Sequence, residues 1–139
     1  MTKPTRQELE SFFAAEFPHA DFVIEQVGDG KSMLRKRIGT EHIRPGGTVS
    51  GPTMMTLADV ALYVAILGEI GMVPLAVTTS LNFNFLRRPS ADCDLIAKCT
   101  LLKLGRQLAV GEVLLFSDGN SQPVAHAVGT YSIPASAGE

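Results

Sequence analysis

The sequence predicts an α+β fold in which one long apolar helix packs against an antiparallel sheet. The segment from Pro52 to Gly68 is apolar nearly all round, which is typical of a helix wrapped by other structure. The last three predicted strands follow one another through short connections, as in an antiparallel meander. A hairpin precedes the helix, and this order of elements indicates the α+β class.

The elements before the central helix are predicted from capping and turn residues. A capping box at Thr5 to Glu8 predicts a short amphipathic helix over about residues 5–16, which Pro18 ends. Alternation of apolar and polar residues predicts strands over 21–27 and 32–38, joined by a turn at 28–30. Residues 40–52 are too rich in Gly and Pro to predict a regular element. Ser50 is the expected N-cap of the central helix, with Pro52 in its first turn.

Four long strands are predicted after the helix. They cover residues 76–86, 94–104, 107–117 and 123–133. Strict alternation in the first of them would place Thr78, Ser80, Asn82 and Asn84 on one face, opposite Leu81 and Phe83. No repeat or linker interrupts the chain, so we expect one domain over 1–139 with a disordered tail over about 135–139.

Composition restricts the classes of function. A length of 139 residues fits one domain, and a net charge of -2 gives no general attraction to nucleic acid. The N-terminus lacks the apolar core of a secretory signal, and the apolar helix carries an Asp, so we expect a cytoplasmic protein without a membrane span. Cys93 and Cys99 lie too far apart on one strand to bridge, and both are expected to be small buried residues. None of the three histidines has a partner at metal-ligand spacing, so no metal site is predicted: His19, His42 and His126.

Asp59 is the residue that most needs a functional explanation. It lies in the middle of the apolar segment, where a buried and unpaired carboxylate costs several kcal/mol or changes its pKa. The competing interpretation is a carboxylate satisfied by neighbouring backbone or by an Arg. The sequence therefore favours a catalytic carboxylate at this position.

Three motifs in order resemble the hot-dog-fold acyl-CoA thioesterases. The motifs are Gly47-Thr-Val-Ser-Gly-Pro-x4-Leu-Ala-Asp59, Leu81-Asn-Phe-Asn-Phe-Leu-Arg-Arg-Pro89 and the last hairpin over 118–131. The similarity is to the phenylacetate-pathway (PaaI-like) branch of the 4-hydroxybenzoyl-CoA thioesterase superfamily, over about residues 20–134. It implies a curved antiparallel sheet around a long central helix, and a dimer, or a dimer of dimers, whose active sites lie at the interface.

The resemblance also implies roles for individual residues. Asp59 would act as a general base or as a nucleophile, and the backbone N–H of the partner's Gly51 would bind the thioester oxygen. Thr78 would position water, and Asn82 belongs to the family pattern. The implied substrate is an acyl-CoA, with coenzyme A as part of the substrate and no further cofactor. From the residues alone, Arg87 and Arg88 are candidates to bind the phosphates of coenzyme A, because the forked guanidinium donors suit phosphate.

The chain departs from the family pattern around the start of the helix. Ser50 replaces the family His, Pro52 replaces a Gly, and Arg44 stands where Asn is frequent. Pro52 lacks an N–H, so the oxyanion donor would be Gly51 alone or Gly51 with Thr53. Arg44 could contact a carboxylate or the thioester carbonyl.

These departures keep two other functions open. One is a non-catalytic acyl-CoA or lipid-binding protein of the same fold, and the other is an acyl-CoA dehydratase in which His42 would have to reach Asp59. An apolar pocket for an aryl or medium-length acyl group could be built from five further candidates: Met54, Met55, Tyr63, Phe83 and Phe85.

Overall fold

A six-stranded antiparallel sheet wraps around one long helix. The computed structural model describes residues 3–18 and 21–135. The central helix contacts all six strands of the sheet. The strands lie in the order β1 (Val23–Gly28), β2 (Lys31–Lys36), β6 (Leu95–Leu104), β7 (Leu108–Ser117), β8 (Ala125–Ser132) and β5 (Val77–Phe85). The hairpin and the meander therefore meet where β2 pairs with β6. The predicted curved sheet around a central helix is confirmed.

The bounds of the predicted elements agree closely with the structure. The helices are α1 Arg6–Glu16 and α2 Gly51–Ile70, and the sheet contains β1 Val23–Gly28, β2 Lys31–Lys36, β5 Val77–Phe85, β6 Leu95–Leu104, β7 Leu108–Ser117 and β8 Ala125–Ser132. Two shorter strands, β3 Ile43–Arg44 and β4 Thr48–Val49, pair with each other outside this sheet. The predictions for His19 and for the tail beyond Ala135 fall outside the described residues.

Helix α1 begins with the predicted capping box and packs along the sheet and α2. The Thr5 hydroxyl accepts the N–H of Glu8, and the Glu8 carboxylate accepts the N–H of Thr5. Leu9 and Phe13 are buried on its inner face. This packing places the phenylalanines of α1 beside the middle of α2.

Helix α2 is buried along most of its length, which explains its composition. Ser50 caps its first turn, and Gly71 ends it with a φ of 97° that favours glycine. The helix is long and apolar enough to cross a membrane, but 61% of its most apolar window is buried inside the fold. A Cβ at Gly111 or Gly129 would collide with Leu62, so these two glycines let α2 approach the sheet closely.

The loop before α2 is more regular than predicted. A single 3-10 turn at Thr40–His42 leads into the β3–β4 pair. The carbonyl of His42 accepts the N–H of Ser50 at 2.8 Å, and the His42 ring accepts the N–H of Gly39 at 2.9 Å. Gly46 and Gly47, both with positive φ, form the turn of this small hairpin. The glycines that argued against a regular element are the ones that make the hairpin.

The prediction of which side chains share a face of β5 was wrong at Thr78. Thr78 and Leu81 are the Cα partners of Tyr131 and Gly129, two residues of β8 on its inner face. The register shifts between Thr78 and Ser80. These two residues are two apart on β5, but their partners on β8 are adjacent in sequence. This bulge turns Thr78 toward Asp59 of α2 and away from the face that carries Asn82.

Strand β5 lies at an edge of the sheet and pairs only with β8 within the described chain. Its apolar ends are half exposed, with Val77 at 53% and Phe85 at 52%. A nine-residue edge with apolar ends is a template for pairing with another strand.

The two cysteines differ in burial. Cys99 is buried as predicted, and burial raises the pKa of its thiol to about 12. Cys93 was also expected to be buried, but it is only half-buried.

Candidate active site

The Asp59 carboxylate is held by two hydroxyl groups from neighbouring strands. Its Oδ1 accepts a hydrogen bond from Thr78 Oγ1 at 2.7 Å and another from the Tyr131 hydroxyl at 2.8 Å. The Tyr131 hydroxyl also donates to the backbone carbonyl of Asp59 at 3.0 Å. These bonds compensate for the loss of water around a half-buried carboxylate in an apolar helix.

Tyr131 is a site residue that the sequence analysis missed. It is 3% exposed, and burial raises the pKa of its phenol far above the ordinary value, with the charge of Asp59 raising it further. Tyr131 therefore remains a neutral hydrogen-bond donor. Its position directly opposite Thr78 on β8 was the available signal, but that register could be read only once the β5 bulge was known.

The two oxygens of Asp59 differ in their surroundings. Both donors bind Oδ1, and no donor to Oδ2 is found among residues 3–18 and 21–135. The carboxylate lines a cavity of about 270 Å³ together with Thr78 and Tyr131. The two donors fix the orientation of the carboxylate, while Oδ2 keeps its lone pairs for a proton or for an electrophilic carbon.

A second cavity, of about 440 Å³, surrounds the start of α2. Its wall includes Gly51 and three arginines, Arg44, Arg87 and Arg88, and no acidic side chain is among the lining residues that the structure describes. Arg87 donates to the carbonyl of Pro123 at 2.7 Å, whereas Arg44 and Arg88 form no ion pair with any residue in the described ranges. A cavity of this composition attracts anions.

The start of α2 leaves one backbone donor free. Ser50 Oγ accepts the N–H of Thr53 at 3.3 Å, and Pro52 has no N–H. Within the part of the chain that the structure describes, the N–H of Gly51 has no acceptor. The alternative of a donor pair with Thr53 is therefore disfavoured, because the Ser50 cap uses that N–H.

The two cavities lie apart within one protomer. Asp59 follows Gly51 by eight residues on α2, which corresponds to about 12 Å along the helix axis. None of the described residues lines both cavities. The structure thus brings Asp59 together with Thr78, and Gly51 together with the three arginines, but it does not join these two groups in a single chain.

The remaining predicted residues take other places. Asn82 is exposed on β5 and lines neither cavity, and the Ser50 hydroxyl serves as the helix cap. Among the five candidates for the acyl pocket, only Tyr63 lines the cavity of about 270 Å³ that contains Asp59. Met54 and Phe85 line the cavity of about 440 Å³ that contains the three arginines. His42 lines neither cavity, so one protomer does not place this residue beside Asp59 as the dehydratase alternative requires.

Comparison with known proteins identifies the fold and the family. The sequence pattern of the Thioesterase superfamily matches residues 46–124. A solved protein from Silicibacter sp. TM1040, itself a thioesterase only by inference, is 44% identical, and the alignment covers 93% of this chain and 91% of that one with a TM-score of 0.85. No curated protein matches by sequence.

Two more distant solved structures share the fold. A mutant of the phenylacetic acid degradation protein PaaI from Thermus thermophilus is 23% identical, with 89% of this chain and 99% of that one aligned at a TM-score of 0.74. A hypothetical thioesterase from Streptococcus pneumoniae, solved with coenzyme A, is 20% identical, with 89% and 95% aligned at a TM-score of 0.80. The predicted resemblance is confirmed, because the family pattern covers more than half of the chain. The chain belongs to the thioesterase superfamily.

Proposed function

We propose that this protein hydrolyses an acyl-CoA thioester to a free acid and coenzyme A. The observation that carries the proposal is the Asp59 carboxylate, which lines a cavity and is fixed by Thr78 and Tyr131 through one of its two oxygens. Family membership and a relative of the same fold solved with coenzyme A support the substrate class. The three arginines of the second cavity would bind the phosphates of coenzyme A.

The geometry of β5 supports an active site shared by two protomers. The strand runs from Thr78, beside Asp59, to Phe85, beside Gly51. If its free edge pairs antiparallel with the same edge of a second copy, the Thr78 end of one strand lies beside the Phe85 end of the other. That pairing would place the Asp59 of one protomer near the Gly51 and arginine cavity of its partner.

Such a composite site contains the groups that hydrolysis needs. The thioester carbonyl oxygen would accept the N–H of the partner's Gly51, which stabilises the oxyanion that forms when the carbonyl carbon is attacked. Asp59 Oδ2 either takes a proton from the attacking water or attacks the carbon itself, giving an anhydride that water then opens. In both routes the C–S bond breaks, coenzyme A leaves as a thiolate that is protonated, and the acyl group gains the oxygen of water.

The same proposal covers the assembly and the setting of the protein. We place the whole chain in one catalytic domain, active as a homodimer or as a dimer of dimers in the cytoplasm. The catalytic groups are side chains and one backbone N–H, so neither a metal nor a redox cofactor takes part in the scheme.

A thiol-release assay across short, medium, long and aryl acyl-CoA esters tests the proposed function. We expect the wild type to release coenzyme A, and Asp59→Asn to lose about 10²- to 10⁴-fold in kcat. The amide oxygen of Asn can still accept from Thr78 and Tyr131, so the variant should keep the circular dichroism spectrum and melting temperature of the wild type. Full activity in Asp59→Asn would contradict the mechanism. Tight binding of the esters by the wild type without thiol release would favour the non-catalytic alternative.

A further inference from the structure

The cavity beside Asp59 has the size of an acyl group rather than of a whole coenzyme A ester. Its volume of about 270 Å³ lies just below the range of about 300 to 1,000 Å³ that is typical of complete small-molecule sites. A cavity of this size suits an aromatic ring or an alkyl chain of medium length rather than a nucleotide. The nucleotide part of coenzyme A must therefore lie elsewhere.

The wall of this cavity is a continuous series of aromatic rings that starts at the carboxylate. Tyr131, which donates to Asp59, stacks on Tyr63 with ring centroids 5.9 Å apart and an interplanar angle of 16°. Phe13 meets Tyr63 edge-on at 5.5 Å, and Phe17 meets Tyr63 at 6.2 Å. The series thus leads from Asp59 to the C-terminal end of α1.

The polar groups of these rings are already engaged. The Tyr63 hydroxyl donates to the carbonyl of Pro74 at 2.9 Å, and the Tyr131 hydroxyl donates to Asp59. No Lys, Arg or His is among the described residues that line the cavity. A carboxylate on the acyl tail would therefore lose its water without gaining a cationic partner from these residues.

We infer that this cavity is the acyl pocket, that it accepts uncharged aryl or medium-length alkyl groups, and that Phe17 limits their length. The inference rests on the proposed function and specifies its substrate class. Phe17 is the last ring of the series and is 43% exposed, whereas Phe13 is 4% exposed and belongs to the core. Removing the Phe17 ring therefore opens the pocket with little effect on the core, while removing Phe13 would destabilise the protein.

The test compares kcat/KM for acyl-CoA esters of increasing length in three proteins. The wild type should prefer aryl and medium-length acyl groups over long ones, and it should disfavour an ester of equal length that ends in a carboxylate at least tenfold. Phe17→Ala should move the preference to longer acyl groups. Leu102→Ala is the matched control, because it removes a side chain that is 59% exposed and lines neither cavity, and its profile should equal that of the wild type.

The outcomes separate this inference from the proposed function. An active wild type whose length profile is unchanged in Phe17→Ala would overturn the acyl pocket and leave hydrolysis standing. A wild type that releases no thiol from any ester would overturn hydrolysis, and the same series is then measured as dissociation constants by calorimetry. A length optimum in affinity that moves in Phe17→Ala would support the pocket, and affinities independent of acyl length would overturn it.

Discussion

The middle and the beginning of α2 present opposite chemistry, although both lie on one helix. In the middle, the Asp59 carboxylate is held by two hydroxyl donors and bordered by aromatic rings. At the beginning, a free N–H at Gly51 lies among three arginines. The first region offers a base with fixed orientation, and the second offers donors and positive charge without an acceptor. Each region supplies what the other lacks.

Within one protomer, the two regions lie too far apart to act on the same thioester carbonyl. Thioester hydrolysis requires a base or nucleophile and an oxyanion donor on the same carbonyl, within a few ångströms of each other. Two turns of helix separate the two regions in a single chain. One end of the free β5 edge lies at the first region and the other end lies at the second. Antiparallel pairing of two copies along this edge would therefore bring the first region of one protomer beside the second region of its partner.

Of the changes at the beginning of α2, removal of the Gly51 N–H should lower kcat the most. Gly51→Pro deletes the donor, and proline fits this position because it is the first of the helix and Ser50 before it is extended. We expect kcat to fall by about 10²- to 10³-fold with an unchanged circular dichroism spectrum.

Gly51→Ala is the matched control for this change. It keeps the N–H, and its Cβ would lie 3.2 Å from the end of the half-exposed Phe85 ring, which can shift. Activity near that of the wild type is expected. Equal losses in the alanine and proline variants would mean that the space at Gly51, rather than its N–H, is what matters.

Removing the hydroxyl donors to Asp59, in the middle of α2, should lower kcat by a smaller factor. Tyr131→Phe and Thr78→Val each leave one donor on Oδ1, so each should lower kcat about fivefold with little change in KM, since one such bond contributes about 1 kcal/mol. The double variant should lose more than the product of the two single losses, because the carboxylate is then free to rotate. A rise in KM without a change in kcat would show that these hydroxyls bind substrate instead of orienting Asp59.

The arginines should show the smallest effect, and it should fall on binding. Arg88 has no partner in the described chain whereas Arg87 is bonded to the carbonyl of Pro123, so Arg88→Ala should raise KM several-fold and more than Arg87→Ala. The increase should shrink at high salt, because exposed charges are screened. Lys31→Ala, which removes an exposed cation near the opposite edge of the sheet, is the control and should leave KM unchanged. A loss confined to kcat would place Arg88 at the reacting carbonyl.

Most of the fold could be predicted because its signals are local. The capping box at Thr5, the turn at Gly28 to Gly30 and the apolar length of α2 each specify structure within a few residues. Asp59 stood out for the same reason, since a charge in such a helix is rare. The β3–β4 pair was missed because the same glycines that make its tight turn are also typical of irregular loops.

The rest of the site depends on register and on contacts distant in sequence. A one-residue bulge reverses the side of β5 on which Thr78 lies, and no composition signal marks it. Tyr131 becomes a site residue only through its pairing with Thr78, and Phe17 only through the packing of α1 beside Tyr63. Sequence patterns identify which residues face a core, but not which of them share a cavity.

We propose that each active site takes Asp59 from one protomer and Gly51 from the other. The direct test is a mixed dimer, purified by two different tags after coexpression of Asp59→Asn with Gly51→Pro. Each parent should be nearly inactive, and the mixed dimer should recover about half of the wild-type kcat, because one of its two sites then carries both native residues. A mixed dimer as inactive as its parents would contradict the shared site.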